Sequence, residues 1–171
     1  LQLLLNEWLQ VELARGAFVV QALEEAVHLS LSRLEINLRV DRIDTLPDGG
    51  CVIIDYKTGR AAVKDWGGER PAKPQLLLYG LAVQALPSAI TFASLRPGEC
   101  AYVGAGATDS IPGLKTDPAK LFRGGPSFES WEALNESWAA TLERLAQAFV
   151  DGEAQVDPLT GSCTYCGMKG I

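Results

Sequence analysis

The tetrapeptide Pro47-Asp48-Gly49-Gly50 separates two strand-like stretches and supplies the residue types that reverse a chain. Before it, Ile36, Leu38 and Val40 alternate with Glu35, Asn37, Arg39 and Asp41, and the pattern runs on to about Leu46. After it comes the apolar run Cys51-Val52-Ile53-Ile54, leading into Asp55-Tyr56-Lys57. So short a connection fixes register. With the turn centred on Asp48, residues whose numbers sum to 96 face each other, which sets Asp41 across from Asp55. Directly opposed side chains have Cβ atoms about 4.5 to 5.5 Å apart, and two carboxylates so close repel unless a cation lies between them. An oxygen-seeking ion such as Mg²⁺ suits that place. The period of two puts Asp55 and Lys57 on one face and Tyr56 on the other, and it turns Asp44 away from Asp41, which excludes Asp44 from the pair.

The remaining pattern predicts a helix over Leu1 to Ala14, closed by Arg15-Gly16, then strands over Ala17 to Leu23 and Val27 to Leu31. With the two strands around the turn they make a four-stranded antiparallel meander. Gly59 to Lys73 reads as a mobile loop, and a helix follows from Pro74 to about Leu86. Gln75 and Tyr79, four apart, share one face of that helix, close enough in sequence to pack beside Asp55 and Lys57. Further strands are expected over Ile90 to Leu95 and Ala101 to Val103, then an irregular stretch over Gly104 to Ser127. A last helix spans Phe128 to Val150, with Trp131, Leu134, Trp138, Leu142, Leu145 and Phe149 as its packed stripe. Residues 1–171 form one domain, of which 151–171 is a tail carrying Cys163-x-x-Cys166.

Composition narrows the function classes. With 47% hydrophobic and 21% charged residues in 171, the chain can bury a core and is not a solvated tail. Its 21 acidic against 15 basic residues, net charge -6, show no basic stripe of the kind that grips duplex DNA. Nucleic-acid binding must then come from a local site, from bound metal ions or from other parts of a larger protein. The longest apolar stretch, Leu76 to Leu86, is broken by Gly80 and Gln84 and is far short of the roughly 20 residues a membrane helix needs. The chain opens on Leu1 inside a helical pattern and its only methionine is Met168, so a larger parent protein is expected. Cys51, Cys100, Cys163 and Cys166 do not make a secreted disulfide framework, which favours a cytoplasmic setting.

Three blocks carry a resemblance: Leu38-Arg39-Val40-Asp41-Arg42-Ile43-Asp44, Val52-Ile53-Ile54-Asp55-Tyr56-Lys57-Thr58-Gly59 and Pro74-Gln75-Leu76-Leu77-Leu78-Tyr79. In this order they resemble the C-terminal nuclease domain of the RecB and AddB type, within the PD-(D/E)XK superfamily, whose AddB-like members are described as probable DNA repair proteins. The resemblance implies an α/β fold with a restriction-endonuclease-like core, a mixed, mainly antiparallel sheet flanked by helices. It implies that Asp41 and Asp55 hold Mg²⁺ or Mn²⁺ with the Tyr56 carbonyl as a further ligand, and that Lys57 orients or deprotonates the attacking water. Gln75 and Tyr79 would support the site or contact DNA. Beside two carboxylates, the Lys57 ammonium suits water positioning and phosphate stabilisation better than general-base work. The activity implied is exonuclease-type hydrolysis of DNA in repair or recombination, next to a helicase or nuclease partner subunit. The alternative is a catalytically degenerate fold that binds DNA or a partner without cutting.

Two family features are not matched. A Gly-x-x-x-His-x-x-Leu-Glu helix is missing from these 171 residues, and Leu38 replaces a glycine common before the first family aspartate. Cys163 and Cys166 resemble half of a 4Fe-4S site whose other two cysteines would lie outside the chain; two free thiols are the plainer reading. His28 reads as an exposed or satisfied strand residue. Trp8, Trp131 and Trp138 read as packing residues, whereas Trp66, in the charged loop, suits either a nucleic-acid strand or the core. Cys51 and Cys100 read as small core residues.

Overall fold

Leu46 and Gly50 close the central turn: the Leu46 N–H donates to the Gly50 carbonyl at 2.8 Å and the Gly49 N–H to the Leu46 carbonyl at 2.9 Å. Gly49 has φ 84°, the left-handed residue that ends a three-residue hairpin loop. The computed structural model describes residues 1–83, 85–155 and 158. In chain order it has α1 (Gln2–Leu13), β1 (Val19–Leu31), β2 (Leu34–Thr45), β3 (Cys51–Lys57), α2 (Gln75–Ala82), β4 (Ala89–Ser94), β5 (Ala101–Gly106) and α3 (Trp131–Val150). The pairs Arg42–Ile54, Ile43–Ile53, Asp44–Val52 and Thr45–Cys51 follow the register that the turn dictates.

The five strands form one sheet in the order β1-β2-β3-β4-β5. Strands β1, β2 and β3 are antiparallel neighbours, β3 and β4 are parallel, and β5 returns antiparallel to β4. A parallel neighbour needs a crossover, and α2 provides it. This is the mixed, mainly antiparallel sheet with flanking helices expected of a restriction-endonuclease-like core. Strand β3 is covered on both faces: Ile53 packs with Trp66, Leu76, Tyr79, Phe92, Leu134 and Trp138, while Val52 and Ile54 pack with Trp8, Leu46, Ala93 and Tyr102. Burial on both sides explains why its sequence is a continuous apolar run.

The meander has three strands, not four. From Val19 onward the expected stretches 17–23 and 27–31 fall in the single strand β1, which has a register shift between Val20 and Ala22 and a second irregularity at Glu24. Leu23 pairs with Arg42 and Glu25 with Val40, and between these pairs Glu24 faces Asp41 with φ 52°, outside the regular ladder. Here the strands exchange faces. On β2 the core residue Ile43 is odd-numbered, but beyond the irregularity Val40, Leu38, Ile36 and Leu34 turn to the same core. On β1 the change runs from Ala22 to Val27, Leu29 and Leu31. A period-two reading sees the phase break and cuts the strand in two.

Helix α1 differs from its expected amphipathic form. Leu1, Leu5, Leu9 and Leu13 are exposed, while Trp8 is buried and Glu7 and Glu12 reach inward. Arg15, expected as a cation at the helix end, is buried and paired with Asp44 at 2.7 Å. Helix α2 ends at Ala82, before the expected Leu86, because Val83 turns to extended backbone. Helix α3 starts where the Ser130 hydroxyl accepts the Ala133 N–H at 3.1 Å; Phe149, assigned to its packed stripe, is exposed.

Candidate active site

Strand β3 delivers Asp55 to the core face with its side chain fully buried, followed by Lys57 at the strand end. The β2–β3 ladder stops at Arg42–Ile54, one step short of Asp41 and Asp55. Asp41 reaches across that opening, and its Oδ2 accepts the Tyr56 main-chain N–H at 2.9 Å. The Asp41 carboxylate therefore touches the peptide that joins Asp55 to Tyr56. The carbonyls of Cys51 and Lys57 face the β4 side, where they accept from Ser88 and Leu95. By alternation, the Tyr56 carbonyl points to the β2 side, where Asp41 lies.

Lys57 joins the strand to the helix. Its Nζ lies 2.8 Å from Asp55 Oδ2 and donates to Gln75 Oε1 at 2.9 Å. Gln75 Nε2 donates to the Tyr79 hydroxyl at 2.5 Å, so the amide is held at both ends. Asp41, Asp55, Tyr56, Lys57, Gln75 and Tyr79 are thus brought together. Burial raises the Asp55 carboxyl above its ordinary pKa; the Lys57 ammonium opposes that rise and the Asp41 charge adds to it. Burial likewise raises the Tyr79 phenol, despite the Gln75 hydrogen bond, and the Asp55 and Asp41 charges add to the rise. Tyr79 therefore remains an O–H donor at neutral pH.

The site fits a hard cation on one observation of its own: the Asp55 carboxylate is fully buried, its Oδ1 has no hydrogen-bond partner, and its Oδ2 has only the Lys57 ammonium, 2.8 Å away. A buried carboxylate with one oxygen unpartnered, and the Asp41 charge beside it, favours a further positive group at that oxygen. The protein donors are two carboxylates and a carbonyl, and among the described residues no group of three or more His, Cys, Asp or Glu side chains is gathered as ligands. Cys163 and Cys166 lie outside the described residues. Two thiolates are half of the four that a 4Fe-4S cluster takes, so these two cysteines by themselves do not fit such a group.

The other expectations resolve simply. Asp44 is on the opposite face, fully buried and held by Arg15 and Arg42. His28 is exposed on β1, with its ring nitrogens on Asn37 and Glu35. Trp66 is a core residue, fully buried against Phe92 and Trp138 with ring centroids 5.3 and 6.0 Å apart. Trp8, Trp131 and Trp138 are buried, and Cys51 and Cys100 are free thiols at half-buried positions. No helix among the described residues is long and apolar enough to cross a membrane.

The family model of the PD-(D/E)XK nuclease superfamily matches residues 1–171. The chain belongs to this superfamily. PD-(D/E)XK nucleases typically use Mg²⁺ or Mn²⁺ and act on DNA, which agrees with the oxygen donors gathered around Asp55. No curated protein matches the chain. Among solved structures, SSO0001 aligns at 17% identity over 94% of this chain and 64% of its own, with a TM-score of 0.42. The chain thus spans under two thirds of that protein's length.

Sequence reasoning passed over two features of this PD-(D/E)XK site. One is the polar network behind Tyr56, whose signal was a pair of charges, Arg42 and Asp44, on a strand covered on both sides. The other is the loop from Lys57 to Lys73, which has Lys57, Arg60, Lys64, Arg70 and Lys73 against only Asp65 and Glu69. In a chain of net charge -6, this is a local excess of cations flanking the site.

Proposed function

We propose that this domain is a Mg²⁺- or Mn²⁺-dependent deoxyribonuclease of the RecB and AddB type, hydrolysing DNA phosphodiesters in repair or recombination. In this reading it is the nuclease portion of a larger cytoplasmic helicase-nuclease protein and trims DNA as an exonuclease. The buried Asp55 carboxylate, with Asp41 on the adjoining peptide and Lys57 on one of its two oxygens, is the observation that carries it.

Asp41 and Asp55, with the Tyr56 carbonyl, would hold the cation. When bound, the ion lowers the pKa of the attacking water and offsets charge on the phosphate. Lys57 is restrained by Asp55 and Gln75, so its ammonium has one place to present to a phosphate oxygen or an incoming water. Gln75 sets that place, because its carbonyl takes Lys57 while its amide is fixed on Tyr79. The Tyr79 hydroxyl accepts from Gln75, leaving its own proton for a phosphate oxygen. Cations of the 57–73 loop supply attraction for a polyanion that the whole chain lacks.

The test is cleavage of end-labelled single- and double-stranded DNA with Mg²⁺ or Mn²⁺. The expected result is shortening that ends with EDTA and is lost in Asp55→Ala. Binding of DNA by both proteins with no cutting by either would replace this reading with the degenerate scaffold.

A further inference from the structure

Tyr56 is held from two directions, and neither hold is part of the β-ladder. On the site side its N–H is taken by Asp41. On the α1 side its hydroxyl accepts from Arg42 Nη1 at 3.0 Å, and its ring meets Trp8 edge-on with centroids 6.0 Å apart. Arg42 has no freedom to move. Its Nε and Nη2 donate to the two Asp44 oxygens at 2.7 and 2.9 Å, and its Nη1 and Nη2 donate to the two Glu12 oxygens at 3.1 and 3.2 Å. With Tyr56 added, each of the five guanidinium N–H groups has an acceptor. Asp44 is itself anchored by Arg15 at 2.7 Å.

From this geometry we infer that Arg42 is a positioning residue for the metal site, acting across the sheet through the Tyr56 hydroxyl. The inference rests on the nuclease reading above. The Asp55–Tyr56–Lys57 backbone lies past the last β2–β3 pair, where the ladder does not hold it on the β2 side. With β4 holding the other edge, a rigid guanidinium on the α1 face and the Asp41 carboxylate on the β2-side edge restrain the rotation that is left. That rotation aims the Tyr56 carbonyl and the flanking Asp55 carboxylate. Hydrogen-bonded groups behind a ligand typically contribute about 10- to 100-fold in metal affinity.

The test is Tyr56→Phe, which keeps the ring against Trp8 and removes only the link to Arg42. Tyr102→Phe is the control: Tyr102 donates to Glu12 and accepts from Arg15 at 3.0 Å in the same network, without contacting Arg42 or Tyr56 by a hydrogen bond. Mn²⁺ affinity is read by calorimetry, and exchange of the Tyr56 amide is read by NMR without metal. In Tyr56→Phe the affinity is expected to fall about tenfold and the Tyr56 amide to exchange faster while Ile53 and Ile54 stay protected. Tyr102→Phe should change neither. An unchanged affinity in Tyr56→Phe overturns the inference, and so does an equal fall in both variants, which would mean general loosening of α1. Asp55→Asn separates the two levels. If it abolishes Mn²⁺ binding while Tyr56→Phe binds normally, only the positioning role fails; if it leaves binding intact, the nuclease reading fails and takes this role with it.

Discussion

The Asp41 carboxylate accepts the Tyr56 N–H at 2.9 Å, the place the Val40 backbone would fill if the β2–β3 ladder ran two residues further. One side chain thus ends a sheet edge and presents an oxygen beside Asp55. The two roles separate by substitution. In Asp41→Asn the amide oxygen can still accept the N–H, so stability should change by less than about 0.5 kcal/mol. Asp41→Ala leaves the N–H without its acceptor and should cost about 1 to 2 kcal/mol. Mn²⁺ should stabilise neither variant as it does the parent. Urea denaturation with and without Mn²⁺ checks both statements, and equal metal stabilisation of parent and Asp41→Asn would remove Asp41 from the metal site.

Asp55 predicts a conflict between stability and function. Burial raises its carboxyl pKa in the fold, so between the ordinary value near 3.9 and the raised one the folded state holds more protons than the unfolded state. Stability of the metal-free protein therefore falls as pH rises through that window, and at pH 7 the charged carboxylate is a net cost. Asp55→Asn should be more stable than the metal-free parent at pH 7, and the advantage should vanish towards pH 4. Mn²⁺ should raise the melting temperature of the parent alone, since a ligand bound only by the native state stabilises it by mass action. Denaturation at pH 4 and pH 7 tests this. A variant several kcal/mol weaker at pH 7 would show that Asp55 is an ion-pair anchor for Lys57.

Local chemistry was legible in the sequence where it determined geometry by itself. Pro47, Asp48 and Gly49 dictate a three-residue loop, the loop dictates register, and register brings Asp41 to the Asp55–Tyr56 peptide. The Gln75–Tyr79 spacing likewise gave a shared helix face, realised as a hydrogen bond. What escaped depends on contacts between elements distant in sequence. Arg15 looks like a helix-end cation until Asp44, 29 residues away, is seen beside it. The outward leucines of α1 satisfy a helical period whichever way the helix faces, and its inward side is set by Glu7, Trp8 and Glu12 finding partners on the loop at Gly98 and Cys100 and on the sheet. The polarity of β4 against β3 is a property of the crossover, not of either strand's residues.

The loop between Lys57 and Gln75 gives a prediction about DNA affinity. Arg60 and Lys64 are exposed there, whereas Lys73 is tied to Asp65 at 3.2 Å. If these two side chains sit on backbone phosphates, each neutralised phosphate releases counterion, and the slope of log affinity against log salt should shrink by about 1 per residue removed. Arg60→Ala with Lys64→Ala should then flatten the slope by about 2, weaken binding alike for different sequences, and leave Mn²⁺ affinity unchanged. Fluorescence anisotropy across a salt series measures it. An unaltered slope would place the strand away from this loop.

Glu24 offers a test of the irregularity that faces Asp41. It sits mid-strand at φ 52°, a conformation in which a Cβ normally costs about 1 to 2 kcal/mol. Its side chain is exposed, and its pairing with Arg39 at 3.6 Å is of the surface kind that contributes little. Comparing Glu24→Ala with Glu24→Gly cancels the lost ion pair and leaves the backbone preference. At an ordinary strand position the alanine variant would be the more stable. Here the glycine variant should exceed it by about 1 kcal/mol in urea denaturation. With glycine the irregularity, and with it the face change that frees Asp41 to reach Tyr56, should persist, so Mn²⁺ affinity should match the parent. An alanine variant as stable as the glycine one would mean that β1 runs regularly past residue 24 and that the opening at Asp41 has another origin.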